Sequence, residues 1–195
     1  MRVLGVDPGS IATGWGVIEE HAQRLQYAGG GVIRVAGPLP QRLARVYEHT
    51  CRILAEFTPQ CVSVEKTFVG DNIQSAFRLG EARGAILVAA AQAGVAVCEY
   101  SPAEIKVAVA GTGRATKEQM QAMVVRLLAL GSRPPGDEAD ALGAAICHLH
   151  AHRFAERIDM AAPAQPRRPQ SRRAAWLRWA TPPRGEQPRR SRRVI

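Results

Sequence analysis

The stretch Met1-Arg-Val-Leu-Gly-Val-Asp7-Pro8-Gly9-Ser10 decides how the rest of the chain is interpreted. Its apolar run contains β-branched residues and ends at a Pro-Gly pair, which predicts a buried strand followed by a tight turn. Asp7 would be the last residue of that strand, where a carboxylate projects from the rim of a sheet and is available for chemistry. From this stretch alone, the alternative that Asp7 only initiates the turn stays open.

Composition limits the classes of protein to consider. The 195 residues, 46% of them hydrophobic, suffice for one domain with an extension. No apolar run is long enough to span a membrane, and Asp7 interrupts the first run too early for a signal peptide. The four cysteines are far apart and lack metal-ligand spacing: Cys51, Cys61, Cys98 and Cys147. We therefore expect a cytoplasmic protein without membrane association, whose cysteines are small buried hydrophobes in a reducing compartment.

The net charge of +9 is concentrated at the C-terminal end. Residues 160–195 hold ten arginines, no lysine and one acid, Glu186. Such a segment favours attraction to a polyanion such as nucleic acid, although many basic tails only keep a protein in solution. Its Pro- and Arg-rich composition predicts little order. We therefore divide the chain into a folded domain, residues 1–157, and a basic, disordered tail, residues 158–195.

The first half of the domain is predicted to consist of four strands and one helix. Residues 13–19 and 24–35 continue the first strand as an antiparallel meander. The turn Pro8-Gly9-Ser10, with Thr13-Gly14, either cradles a phosphate through backbone N–H groups or makes a tight hairpin. Helical spacing of apolar residues predicts a helix over 38–59, followed by a short strand that ends in Glu65. A helical crossover favours parallel neighbours, which would place Glu65 beside Asp7.

The next segment is predicted to be mainly helical. Residues 72–93 form a helix that is almost wholly apolar from Ala85 to Ala91, which suits burial on several sides or a subunit interface. A strand over 95–100 follows, and capping boxes at Ser101 and Thr116 begin two further helices. Three basic residues surround the glycine loop between those helices: Lys106, Arg114 and Lys117. They are either ordinary solvated charges or phosphate contacts near helix N-termini.

The last helix opens with Asp137-Glu-Ala-Asp140. Asp137 and Asp140 are three residues apart and share one face, whereas Glu138 does not. The alternative is that acids in a first turn only complement the helix dipole. The three histidines at 148, 150 and 152 are spaced by two, which scatters them around the helix, so we do not expect them to bind metal.

Four carboxylates from three elements are thus predicted to meet at one edge of a sheet. Such crowded anions repel one another unless cations are present. Ligands that are all oxygen select a hard ion, Mg²⁺ or Mn²⁺. Two such ions about 4 Å apart can activate a water molecule and stabilise the leaving oxygen of a phosphodiester.

Five motifs, in order over about residues 1–152, resemble the RuvC family of bacterial Holliday junction resolvases. They are Gly5-Val-Asp7-Pro-Gly9-Ser with Thr13-Gly-Trp-Gly16, Val64-Glu65-Lys-Thr-Phe68, Arg78-Leu-Gly-Glu-Ala-Arg83-Gly84, Ile105-Lys106 with Gly111-Thr-Gly113-Arg-Ala-Thr-Lys117, and Asp137-Glu-Ala-Asp140-Ala-Leu. The resemblance implies an α/β fold, a ribonuclease H-like mixed sheet flanked by helices. It also implies a homodimer that resolves four-way junction DNA in recombination and repair by paired, symmetric, metal-dependent phosphodiester hydrolysis.

The resemblance also implies roles for particular residues. Two Mg²⁺ per subunit, with Mn²⁺ as a substitute, would be held by the catalytic carboxylates Asp7, Glu65, Asp137 and Asp140. DNA would be contacted by Phe68, Arg78, Arg83, Lys106 and Lys117, and the basic cluster around the glycine loop adds Arg114 to these predicted contacts. Phe68 would stack on bases near the junction centre, the alternative being an ordinary core residue. RuvA and RuvB, the branch-migration proteins, are the implied partners. The basic tail exceeds the usual family ending and receives no role from the resemblance.

Three other functions are compatible with parts of the sequence. A nuclease acting on RNA ends shares a Val-Asp-Pro-Gly start, but such chains are typically shorter and lack the later motifs. A non-catalytic binding module dominated by the tail would bind in a salt-sensitive, metal-independent way. An ATPase of the actin and sugar kinase class also begins with Asp-x-Gly, but it needs two such domains.

Overall fold

A computed structural model of the chain describes residues 1–66 and 73–161. Two predictions lie outside the described residues: the placement of Phe68 and the character of the tail beyond residue 161. The described part contains a five-stranded sheet, whose strands are β1 (Arg2–Asp7), β2 (Ala12–His21), β3 (Arg24–Arg34), β4 (Cys61–Glu65) and β5 (Ala96–Tyr100).

The sheet is mixed, with the order β3-β2-β1-β4-β5. The first three strands form the predicted antiparallel meander, and β1, β4 and β5 run parallel to one another. In the described part of the chain, five helices flank the sheet: α1 (Leu39–Phe57), α2 (Ile73–Gln92), α3 (Pro102–Ala110), α4 (Lys117–Leu127) and α5 (Gly136–Ala161). The predicted α/β class and the mixed sheet flanked by helices are confirmed.

Alternation along the strands divides the core into two layers, because successive side chains of a strand point to opposite faces. Leu4 and Val6 of β1 pack with α1 and α2, whereas Val3 packs with α3, α4 and α5. The residues that share a face with Val3 are Gly5 and Asp7. On β4, Val62 and Val64 belong to the α1–α2 layer. Asp7 therefore lies on the side of the sheet that α5 covers, and Glu65 is on that side as well.

The helix starts near the edge of the sheet are built as the sequence predicts. Ser101 and Thr116 each form a complete capping box, with Glu104 and Gln119 as the reciprocal partners. These caps satisfy backbone N–H groups that a helix start otherwise leaves unpaired. Gly111 ends α3 with a φ of 75°. Within residues 1–66 and 73–161, no helix combines the length and apolar character needed to cross a bilayer.

Candidate active site

The parallel pairing of β1 and β4 brings two predicted carboxylates together. Val6 is in register with Val64, and the residues that follow them, Asp7 and Glu65, each end their strand. Both residues lie on the α5 side of the sheet. Since parallel strands end at the same edge, the strand that opens the chain and the strand after α1 deliver one acid each to one point.

Helix α5 delivers the other two acids because glycines let it approach the sheet very closely. A Cβ added to Gly14 would overlap the Asp137 carbonyl, and a Cβ added to Gly5 would overlap the Ala141 carbonyl. Gly14 is also the β2 partner of Asp7 in the antiparallel register. The first turn of α5, which carries Asp137, is therefore in direct contact with the strand beside Asp7.

These elements enclose a cavity of about 250 Å³. It is lined by Asp7, Glu65, Asp140, Lys106 and Lys117, together with Pro102, Ile105 and Met120. Asp137 is not one of the lining residues, although it lies close enough for its charge to affect Asp7 and Asp140. Three of the four predicted acids and two of the predicted basic residues thus share one cavity.

Two larger grooves in the described residues lack this chemistry. One, of about 470 Å³, lies between α1 and α2 and is lined mainly by apolar residues. The other, of about 450 Å³, lies between α3 and α5 and has Glu104 as its lone carboxylate. Neither groove gathers several carboxylates, so the smaller cavity is the candidate active site.

The pKa values of the cavity acids report how deeply they are buried and how strongly they repel one another. Burial is the largest cause that raises the pKa of Asp7 to about 7, and the charge of Asp140 is the next. Glu65 and Asp137 raise that pKa further, and Lys117 lowers it. Burial also raises the pKa of Glu65 and of Asp140, and the two cavity lysines oppose both shifts. Burial and mutual repulsion make ionisation of these carboxyl groups unfavourable. Their oxygens therefore fit hard divalent cations, whose positive charge would offset the repulsion.

The structure places the predicted basic residues in three kinds of surroundings. Lys106 on α3 and Lys117 at the start of α4 line the cavity, and Arg114 is exposed in the loop between those helices. Arg78 is exposed on α2, whereas Arg83 on the same helix forms an ion pair with Glu99 of β5. The structure therefore brings the two lysines to the carboxylates and holds Arg83 against the edge strand of the sheet.

The glycine turn after β1 is a tight hairpin. The Gly9 N–H donates to the Thr13 hydroxyl over 3.4 Å, and that hydroxyl donates to the Gly9 carbonyl over 3.3 Å. Thr13 is fully buried. Since the hairpin itself uses the Gly9 N–H group, the geometry favours the hairpin interpretation over the phosphate cradle.

Sequence reasoning missed the role of Glu138. This residue is buried and accepts a hydrogen bond of 2.9 Å from the Tyr27 hydroxyl on β3. Burial and Glu138 together raise the pKa of Tyr27 to about 12. A Cβ added to Gly30 would lie 2.5 Å from the Glu138 carboxylate, so the glycine run of β3 makes room for it. That glycine run was the available signal, and the contact ties the first turn of α5 to the sheet.

Comparisons with a family model, with related sequences and with solved structures all point to the same family. Residues 3–148 match the family model described as crossover junction endodeoxyribonuclease RuvC. The crossover junction endodeoxyribonuclease RuvC of Cupriavidus metallidurans is 49% identical over 152 residues, which cover 77% of this chain and 84% of that protein. The solved structure of Thermus thermophilus RuvC is similar, with a TM-score of 0.73 and 36% identity over 80% of this chain and 97% of that one. The T. thermophilus RuvC structure in complex with a Holliday junction substrate is similar, with a TM-score of 0.73, 35% identity and coverage of 79% and 96%.

Proposed function

The chain belongs to the RuvC family of crossover junction endodeoxyribonucleases, and we propose that its four clustered carboxylates are the metal ligands with which it cuts DNA. It has the ribonuclease H-like fold of that family and is an endonuclease that resolves Holliday junctions. The proposed ligands are Asp7, Glu65, Asp137 and Asp140. The observation that carries the proposal is the cavity in which three of these acids meet, with a pKa of about 7 for Asp7.

Nucleases of this family use a divalent metal, and we propose two Mg²⁺ per subunit, with Mn²⁺ as a substitute. The all-oxygen donor set and the raised pKa values of the acids support a hard cation of this kind. When bound, two such ions activate a water molecule and stabilise the oxygen that leaves phosphorus. Asp7 and Glu65 are positioned for this by rigid strands, and Asp137 and Asp140 by the close approach of α5 to the sheet.

The basic residues are proposed to hold the DNA backbone. Lys106 and Lys117 line the cavity, so each can donate to a phosphate oxygen next to the cleaved bond. Arg114 and Arg78 are exposed and can contact phosphates farther away. Arg83 keeps its proposed DNA role only if DNA competes with Glu99 for its guanidinium group. Phe68 is proposed to stack on bases at the junction centre.

A four-way junction must be cut twice, so we propose that the chain acts as a homodimer with two equivalent sites. The outer face of α2 supports this: Phe77 is 70% exposed and Val88 is 50% exposed, although both are apolar. A second copy of the same helix would cover such residues. Family membership also leads us to propose RuvA and RuvB as partners. We further propose the division into a nuclease domain, residues 1–157, and a basic tail, residues 158–195.

The decisive experiment replaces Asp7 with asparagine. We expect Asp7→Asn to abolish cutting of a synthetic four-way junction in Mg²⁺ while gel-shift binding persists, because the DNA contacts lie on other residues. The matched control is Glu48→Gln, which neutralises an exposed acid on α1 and should cut at the rate of the unmodified protein. Normal cutting by Asp7→Asn would contradict the metal-ligand assignment. A structured RNA of equal length serves as the competing substrate, and faster cleavage of that RNA would contradict junction specificity.

A further inference from the structure

A second group of potential ligands lies on the same elements, away from the carboxylates. Cys61 of β4, Cys98 of β5 and His148 of α5 each place one donor atom so that all three donors are within 4.8 Å of one another. Cys61 and His148 are 3% and 7% exposed, and Cys98 is half-buried. We propose that these three residues bind a thiophilic divalent ion of the Zn²⁺ class, which fastens β4 and β5 to α5.

The donor types favour this class of ion. Two thiolates and one imidazole suit Zn²⁺ and not Mg²⁺, which prefers oxygen. Two sulfurs on one tetrahedral zinc ion are about 3.8 Å apart, given bonds of about 2.3 Å. Donor atoms within 4.8 Å therefore need adjustments of about 1 Å, which side-chain rotation provides. Three protein ligands leave a fourth position for water.

The histidine carries the second, independent observation. Its Nδ1 is 2.9 Å from the Tyr100 hydroxyl, and its Nε2 is buried with no hydrogen-bond partner among the described residues. Buried polar atoms in folded proteins are nearly always paired, so an unpaired one points to a missing partner. A metal-bound histidine commonly uses its other ring nitrogen for a hydrogen bond that fixes the ring, as the Tyr100 hydroxyl does here.

The protonation states are consistent with metal binding. Burial, and then the neighbouring charge of His152, lowers the pKa of His148, so its imidazole is neutral and has a free lone pair. Burial, followed by a hydrogen bond with Cys98, raises the pKa of the Cys61 thiol, so the Cys61 thiol is protonated in the metal-free protein. Binding then forms one metal–sulfur bond at each cysteine, and the protons that the ligands give up leave to solvent.

We expect an ion to enter the site from the side of β5. The groove between α3 and α5 is lined by Tyr100, which contacts His148, and by Cys147, which precedes it in the chain. Cys98 is half-buried, so it is the least buried of the three proposed ligands. The site differs from the carboxylate cavity, because none of its three residues lines that cavity.

The test uses the full-length protein, reduced with a non-thiol reductant, stripped of metal and then reloaded with Zn²⁺ in a large excess of Mg²⁺. After gel filtration, elemental analysis should find one zinc per chain in the unmodified protein and none in Cys98→Ala or His148→Ala. The control, Cys51→Ala, removes a half-buried cysteine on α1 in the opposite layer and should keep its zinc. Zinc should also raise the midpoint of thermal unfolding in the unmodified protein and in Cys51→Ala only.

Cobalt provides a readout of the ligands themselves. Co²⁺ in the unmodified protein should give a thiolate-to-cobalt charge-transfer band that is lost in Cys98→Ala. Absence of that band in the unmodified protein overturns the proposal even if a variant fails to fold. Equal zinc in Cys98→Ala and the unmodified protein overturns it too, because the ion would then sit elsewhere. Cleavage of the junction in Mg²⁺ by Cys98→Ala verifies folding and keeps this test separate from the assignment of the active site.

Discussion

Replacing Gly14 with alanine should separate the carboxylates without removing any of them. A Cβ on Gly14 would lie 1.8 Å from the Asp137 carbonyl oxygen and 3.1 Å from its Cα. Contacts below 3.0 Å are not tolerated against backbone, so the first turn of α5 must move back by more than about 1 Å. Asp137 and Asp140 move with that turn, whereas Asp7 stays on β1. One methyl group therefore changes the spacing between the acids on the sheet and the acids on the helix.

The size of the effect follows from the geometry that metal ligands require. Ligand distances must hold to within about 0.2 Å, and a misplacement of about 1 Å can lower a rate about 100-fold. We therefore expect the single-turnover rate of junction cutting in Mg²⁺ to fall about 100-fold in Gly14→Ala. Overpacking should also lower the free energy of unfolding by about 1–3 kcal/mol. In a chain of this size, each kcal/mol lowers the midpoint of thermal unfolding by about 2–4 °C.

The matched control lies on the same helix. A Cβ on Gly143 would meet side-chain atoms of Ile105, Met120 and Val109 at 3.4–3.8 Å, which is ordinary contact. Gly143→Ala should therefore cut normally, and it should raise the free energy of unfolding by about 0.5–1 kcal/mol because alanine favours helix. If Gly14→Ala cuts within twofold of the unmodified rate, the close approach of α5 does not position the acids and the reasoning fails.

Three further perturbations test the electrostatics and the anchoring of the site. In EDTA, Asp7→Asn should unfold at a higher temperature than the unmodified protein, and the gap should widen as pH rises from 4 to above 7. A buried acid whose pKa is raised to about 7 destabilises the folded state once it ionises, by on the order of 2–4 kcal/mol here; a gap that is constant with pH would contradict this. Lys117→Ala should move the acidic limb of the pH–rate profile to higher pH, because Lys117 lowers the pKa values of the cavity acids; an unmoved limb would argue against the contact. Tyr27→Phe should cost about 1–3 kcal/mol of unfolding free energy by leaving the Glu138 carboxylate without its donor, and unchanged melting would show that the hydrogen bond contributes little.

Local patterns in the sequence predict the sheet and the placement of three of the four acids in one cavity, for physical reasons. Alternation along β1 and β4 predicts which residues share a face, and the single crossover helix between them favours parallel pairing. The i, i+3 spacing predicts that Asp137 and Asp140 share a helix face. Capping boxes at Ser101 and Thr116 predict two helix starts to the residue, since their signals are contained in four neighbouring positions.

Contacts between distant segments were not predictable in the same way. The ion pair of Arg83 with Glu99 depends on how α2 lies against β5, so the sequence alone places Arg83 only on a helix. The hydrogen bond of Glu138 joins residues that are 111 positions apart, and the helical pattern by itself set Glu138 aside. From the sequence alone, the cysteines are predicted to be buried hydrophobes and the histidines to bind no metal, because only the spacing along the chain is known. Such a prediction does not include the two strands and the one helix that bring Cys61, Cys98 and His148 together.

Strand β4 packs against helix α5 along a line of contacts, the β4–α5 seam. This seam carries two kinds of potential metal-binding residue. Three pairs of residues follow it: Glu65 with Asp140, Ser63 with Ala144, and Cys61 with His148. The middle pair is joined by a hydrogen bond of 2.7 Å from the Ser63 hydroxyl to the Ala144 carbonyl. Four residues of strand rise about 13 Å and eight residues of helix rise about 12 Å, so the strand and the helix stay matched along the seam. Oxygen donors occupy one end, and sulfur and nitrogen donors occupy the other. Because Mg²⁺ prefers oxygen donors and Zn²⁺ binds thiolate and imidazole well, each ion favours its own end, and loading the thiolate end with one zinc per chain should leave the Mg²⁺ dependence of cutting unchanged.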